Sequence, residues 1–241
     1  NKYIKIKKLL EYLNIPLDRL ETLHNMYWET FYFNMKINEG VLDFIKWNKE
    51  QKIKVSALKS IGNNKRIGFV GQMISRKNIK DILDIFESLA GKYPNITLSL
   101  LGDGESRAEL EEYTKSLSHK DRIKFLGFRD DRLELLQSFD LFVMTSSLEG
   151  IPRCLMEATA MGIPVAAYDI AGIDQLIEHE KTGLLAPYGE KELLSSYWET
   201  LLFHQEKAEQ LSNAACDYVN ANYSGKRMAS EYTTLFNDLM G

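Results

Sequence analysis

Residues 141–169 read LFVMTSSLEGIPRCLMEATAMGIPVAAYD, a strand, a loop, a helix and a second strand. Leu141–Met144 is a short apolar run of the kind that fills a buried parallel strand. Thr145, Ser146 and Ser147 are small polar loop residues. Gly150 permits a sharp turn. Pro152 suits the first turn of a helix, where it has no amide hydrogen to lose. The helix is expected over Arg153–Ala160, stopped by Gly162 and kept stopped by Pro164. Residues 165–168 are the next buried strand.

Two acids bracket the start of that helix. Glu149 sits in the loop before it and Glu157 about a turn and a half inside. Between them the first helical amides are unpaired and carry the positive end of the dipole. A helix start at the C-terminal edge of a parallel sheet is a ready anion site. Phosphate on the amides and hydroxyls on the carboxylates would describe a sugar nucleotide. The alternative is a loop acid and a solvated helix residue.

Outward from this stretch the chain alternates. Strands are predicted at 66–70, 97–101, 123–126, 141–144, 165–168 and 183–186. Helices are predicted at 76–89, capped by Ser75, then at 109–117, 133–138 and 153–160. A short one after Ala171-Gly172 reaches Glu178, and the tail is helical at 191–203, 205–222 and 226–240. This alternation specifies an α/β fold, a Rossmann-like doubly wound parallel sheet with helices on both faces. Residues 1–60 read as a linker or partial N-terminal segment, 61–225 as the Rossmann-like domain and 226–241 as a C-terminal helix. Within the first of these, 2–13 reads as a helix with Lys2, Lys5, Lys7 and Lys8 beside apolar Ile4, Leu9, Leu10 and Leu13. Such a segment can lie on an anionic membrane, though it is more often a solvated face. A short strand is expected at 20–24 and an amphipathic helix at 41–47. Tyr27, Trp28, Phe31, Tyr32 and Phe33 form an aromatic cluster read as linker and packing.

Arg76 and Lys77 are placed at a helix start, where cations oppose the macrodipole at a few tenths of a kcal/mol each. An anion beside them would account for that cost; two solvated cations are the other reading. Gly102-Asp103-Gly104 follows the second strand and lacks the last glycine of a nicotinamide fingerprint, Arg107 standing there.

The chain has 241 residues, 44% hydrophobic and 27% charged, with a net charge of −4. That is ample for a sizeable core and gives no broad electrostatic footprint for nucleic acid. Cys154 and Cys216 lack metal-like spacing and read as reduced thiols of a cytoplasmic protein. The four histidines are scattered. No apolar run has the length of a membrane span, and no signal-peptide pattern is read. The chain opens on Asn1, so a longer parent protein is expected.

The string from Glu149 to Glu157, with EG-x-P, then L-x-EA, then G-x-PV, resembles the E-x7-E motif of retaining glycosyltransferases of the GT-B fold. The nearest group is family 4, the glycosyl transferases group 1 domain. The run from Gly71 to Lys77 looks like that family's G-R-x-x-x-x-K loop, whose Arg and Lys hold the donor pyrophosphate. Lys77 matches the Lys, Gln72 stands where the Arg usually is, and Arg76 is a candidate substitute.

The resemblance implies that this is the donor-binding half of a GT-B enzyme. Glu149 would contact donor-sugar hydroxyls, and Lys77 with the main-chain amides of the 150–153 segment, Gly150, Ile151, Pro152 and Arg153, would stabilise the leaving diphosphate. Glu157 would accept from the ribose. Gly127, Phe128 and Arg129 would lie beside the base, and Gly172 close to the donor sugar. The family works without a metal or other cofactor. The partners implied are a nucleotide sugar and an N-terminal acceptor-binding domain, with peripheral membrane contact through the full-length protein, at the inner face of the cytoplasmic membrane. The acceptor would be a glycan or lipid-linked chain in bacterial surface polysaccharide synthesis. Nothing in the chain is long enough to supply the acceptor domain, so the isolated chain is expected to bind donor and transfer poorly. The alternatives are a GT-B sugar-nucleotide epimerase, a catalytically degenerate nucleotide-sugar-binding module, and a structural interaction domain.

Overall fold

β-Rich apolar runs separated by glycine turns assemble as the pattern demands. The computed structural model describes residues 64–223, 227 and 230–234. Six strands, β1 (Lys65–Val70), β2 (Ile96–Leu101), β3 (Ile123–Gly127), β4 (Leu141–Met144), β5 (Val165–Asp169) and β6 (Leu184–Pro187), pair in parallel in the order β3-β2-β1-β4-β5-β6. The helices are α1 (Ile79–Lys92), α2 (Arg107–Lys115), α3 (Arg132–Gln137), α4 (Arg153–Ala160), α5 (Lys191–Phe203) and α6 (Gln205–Asn222).

Successive strand residues point to opposite faces, and here both faces are apolar. Ile67 and Phe69, Leu141 and Val143, and Ala166 and Tyr168 share one core with buried residues of α1, α5 and the start of α6. The intervening Phe142, Met144, Val165 and Ala167 are equally buried. On that second face α4 packs against α6, burying Leu155 and Ala158 of α4 and Ala215 and Val219 of α6. Gly68 shows how tight this layer is. A Cβ there would lie 1.9 Å from the Phe139 ring.

The strand order reverses between β1 and β4. In open parallel sheets the crevice at the C-terminal ends of two such strands is the ligand position. Here it is flanked by the loops after Val70 and after Met144.

Two elements differ from expectation. The helix predicted over 76–89 is instead a 3₁₀ turn, Ser75–Lys77, followed by α1. Asn78 breaks the two apart in the left-handed region, at φ 47° and ψ 44°. Its side-chain amide donates to Asp81 Oδ2 at 2.7 Å, and its carbonyl accepts from Thr145 Oγ1 at 2.9 Å. Ser75 is therefore no helix cap, and Arg76 and Lys77 precede the α1 dipole instead of opening it. The short helix expected up to Glu178 is a run of turns over 171–176. Gly172 there has φ 93°, outside the helical region, and isolated turn bonds such as Asp174 to the Ile170 carbonyl and Ile177 to that of Ile173 hold the run. The other strands and helices fall within two residues of expectation.

Of the helix expected at 226–240, residues 227 and 230–234 are described and helical. Residues 64–223 lie in one compact unit and these belong to a second. The helices expected at 2–13 and 41–47, the strand at 20–24 and the aromatic cluster lie outside the described residues. Among the described residues no helix is long and apolar enough to cross a membrane.

Candidate functional site

The loops at the C-terminal edge are joined main chain to main chain. The Gly71 amide donates to the Leu101 carbonyl at 3.0 Å, and Met73 to that of Asp103 at 2.9 Å. Gly102, at φ 126°, approaches so closely that a Cβ would sit 1.9 Å from the Gly71 carbonyl oxygen. From the other side the loop after β4 reaches across. The Ser147 amide donates to the Arg76 carbonyl at 2.8 Å, and Thr145 Oγ1 to that of Lys77 at 3.1 Å. The 3₁₀ turn is thus held by both neighbours.

That docking delivers Glu149 to two cations. Lys77 Nζ donates to Glu149 Oε1, and Arg76 Nη1 to Oε2 at 3.1 Å and to the Leu148 carbonyl at 2.8 Å. The side chains of Lys77 and Glu149 are 7% and 5% exposed, while that of Arg76 is 42% exposed. Burial alone would raise the Glu149 pKa. Lys77, Ser146 and Arg76 together outweigh it and hold the carboxyl below its ordinary value. Ser146 is fully buried, and its hydroxyl lies close enough to contribute although it makes no hydrogen bond of ordinary geometry.

Glu157 is also buried, but its partners are different. Arg132 donates to it through both terminal nitrogens, Nη1 to Oε2 at 3.0 Å and Nη2 to Oε1 at 2.9 Å. Arg153, one turn earlier on α4, donates through Nε to Oε1 at 2.9 Å. Between the two acids stands Cys154. Its thiol is pushed up to about 11, first by burial; Lys77 pulls it down and Glu157 and Glu149 push it up. Groups that act on one thiol share one neighbourhood, and four cations there face two carboxylates.

The remaining predicted residues divide. Gly172 belongs to the cluster: a Cβ on it would lie 1.8 Å from the Gly150 carbonyl oxygen. Gly150 does not need its glycine for conformation, since it avoids positive φ and a Cβ would meet open space. Pro152 is buried at the entry to α4, while Ile151 and Arg153 are exposed. No side-chain cap bond is made at the N-cap of α4, Pro152, and the first amides of a helix have no partner within it. Gln72 is exposed and makes no hydrogen bond among the described residues. Gly127, at φ 67°, ends β3, and its carbonyl accepts from the Gly102 amide at 2.8 Å. Phe128 beside it is 79% exposed, and Arg129 is engaged by Asp131. Sequence reasoning missed Arg132 and Ser146. Nothing in a six-residue helix marks Arg132 as a partner for a side chain 25 positions on. Ser146 could have been found as one of the polar residues that follow a buried strand. Among the described residues no three His, Cys, Asp or Glu side chains cluster as metal ligands.

A family model described as glycosyl transferases group 1 matches residues 50–217. N-acetyl-alpha-D-glucosaminyl L-malate synthase of Bacillus anthracis is 26% identical over 227 residues, which cover 93% of this chain and 55% of that protein. The lipopolysaccharide core biosynthesis glycosyltransferase LpsE of Rhizobium meliloti is 26% identical over 166 residues, 69% of this chain and 48% of its own. Among solved structures, Anabaena HepE in complex with UDP-glucose superposes with a TM-score of 0.67 at 26% identity, covering 79% of this chain and 52% of that one. The chain spans about half the length of the curated relatives it matches.

Proposed function

The chain belongs to the glycosyl transferases group 1 family, and on that footing we propose that it is the donor-binding half of a retaining, family 4 glycosyltransferase. Its substrate is a nucleoside-diphosphate sugar. HepE is described in complex with UDP-glucose, which supports a UDP-linked donor in the first instance. The observation that carries the reading is the buried Lys77–Glu149 pair, with Arg76 on its second oxygen, at the strand-order reversal.

Charge development explains why such a pair is useful. As the glycosidic bond breaks, the anomeric carbon becomes cationic and the diphosphate departs as an anion. Fixed cations and helix amides placed where that anion forms lower the barrier most. Lys77 and the amides that open α4 have this position. Glu149 orients Lys77 and accepts from donor-sugar hydroxyls, and Glu157 accepts from the ribose. Gly127, Phe128 and Arg129 flank the base, and Gly172 gives the sugar close access to main chain.

Residues 61–225 form this donor domain. Residues 226–241 serve as the helix that returns to an N-terminal acceptor domain, and 1–60 link the two. LpsE supports a role in bacterial surface polysaccharide synthesis, with a glycan or lipid-linked acceptor at the inner face of the cytoplasmic membrane. Exposed, unbonded Gln72 in place of an arginine favours a second reading, a module that binds donor without turning it over. Titration calorimetry with UDP, GDP and ADP sugars tests the first. Glu157→Ala is expected to weaken binding by about 1–3 kcal/mol, the usual loss for a charged hydrogen bond. Affinities unmoved by both Glu157→Ala and Lys77→Ala would refute it. Sugar transfer by the full-length protein, abolished by Glu149→Ala, would exclude the second.

A further inference from the structure

Glu157 cannot keep its present partners and also receive a ribose. An ionised carboxylate offers about four acceptor positions. Oε1 accepts from both Arg132 Nη2 and Arg153 Nε, and Oε2 from Arg132 Nη1, which leaves a single place. A ribose presents two adjacent hydroxyls, each seeking an acceptor. One arginine bond must yield, and the two arginines are not equally held. Arg132 grips with two parallel bonds and its side chain is 28% exposed, whereas Arg153 holds by Nε alone and is 43% exposed. Bidentate pairs are the stronger. The Nη groups of Arg153 bond nothing among the described residues.

Arg153 is also the first residue of α4. A cation at a helix start opposes the dipole unless an anion is held between them. Beside Lys77 the leaving-group site meanwhile lacks its second cation. Gln72 is neutral, and Arg76 is bound to Glu149 and to the Leu148 carbonyl.

We infer that Arg153 is a diphosphate ligand of this chain, stored on Glu157 and released by the ribose. When the ribose hydroxyls occupy Glu157 they displace Arg153 Nε, and the freed guanidinium turns to the diphosphate. This rests on the donor-binding reading. The exchange makes recognition cooperative. A nucleoside displaces Arg153 without giving it a new partner, while pyrophosphate alone must compete with Glu157 for it. Only a molecule with both parts satisfies Glu157 and Arg153 together.

The test is calorimetry on the full chain with UDP, UMP, uridine and 2′,3′-dideoxy-UDP, using wild type, Arg153→Ala and Arg153→Lys. Circular dichroism first establishes that the variants fold. Arg153→Ala is expected to weaken UDP about tenfold to a hundredfold, the range of a charge-assisted hydrogen bond. It should leave uridine unchanged or slightly tighter, because Glu157 is then already free. With dideoxy-UDP, which leaves Arg153 on Glu157, the same substitution should cost less than threefold. Arg153→Lys should restore part of the UDP affinity. Equal weakening of UDP and uridine by Arg153→Ala would make Arg153 a mere support for Glu157 and overturn the inference. So would unchanged UDP affinity, which leaves the donor-binding reading standing. No binding of UDP, GDP or ADP to the wild type would overturn that reading and this inference with it.

Discussion

Lys77 and Glu149 form an ion pair across 72 positions of sequence, each side chain at least nine-tenths buried. Such pairs are poor stabilisers, because desolvating two charges offsets most of their attraction. Their presence at a sheet-edge crevice therefore calls for a functional reason, and the diphosphate-binding role proposed for Lys77 supplies one.

Removing one partner should be costly and removing both should not. Glu149→Leu leaves Lys77 an uncompensated buried charge and is expected to cost about 3–5 kcal/mol, whereas Lys77→Met leaves Glu149 its bond from Arg76 and should cost less. The double substitution should recover most of that loss, since apolar replacement of a whole pair is often neutral. Urea denaturation measures all three. Diphosphate binding should stay lost in the double variant, separating the role of the pair in binding from its role in folding.

Acid should remove what Glu149 contributes. Its folded-state pKa lies below the ordinary 4.5. Its stabilisation is therefore complete above that value and is lost as pH falls through the folded-state one. Unfolding free energies of wild type and Glu149→Gln should differ most at neutral pH and converge as pH falls below 4.5 and through the folded-state value. A gap that is constant with pH would contradict the ionised pair.

Two glycines with similar backbones should respond differently to a methyl group. Gly172 is at φ 93° and Gly189 at φ 87°. A Cβ on Gly189 meets nothing within 4 Å, whereas one on Gly172 would strike the Gly150 carbonyl at 1.8 Å. Gly189→Ala carries only the left-handed backbone cost, about 1–2 kcal/mol. Gly172→Ala adds a main-chain collision and should lower the melting temperature further. It should also weaken donor binding by shifting the Glu149–Gly150 peptide.

Phe128 should matter to ligand and not to fold. It is 79% exposed, so Phe128→Ala should leave the melting temperature unchanged. If the base stacks there, nucleoside affinity should fall by about 1–3 kcal/mol, the range for aromatic–base stacking. An unaffected nucleoside affinity would move the base elsewhere.

The parts of this fold that sequence made legible are those governed by local chemistry. The bounds Leu141–Met144 and Arg153–Ala160 follow from an apolar run, a proline entry and a glycine exit. The motif string likewise led to Glu149 and Lys77, and the structure joins them. What local pattern could not give is where a side chain finds its partner. Ser75 looks like a helix cap, but Asn78 takes the left-handed turn while Thr145, from the loop after β4, holds its carbonyl. Glu157 looks like an open acceptor until Arg132 arrives from α3. Both contacts join elements far apart in the chain, to which periodicity is blind.

The seams of the crevice hold a lesson for redesign. Gly102 against Gly71, Gly104 against Met73 and Gly172 against Gly150 meet peptide to peptide, with no room for even a methyl group. A library seeking new ligands should leave Gly102, Gly104 and Gly172 alone, since a side chain there would collide with main chain. Leu148, Ile151 and Phe128 project from the same edge into solvent. Diversity placed on these three can explore new chemistry over an unaltered frame.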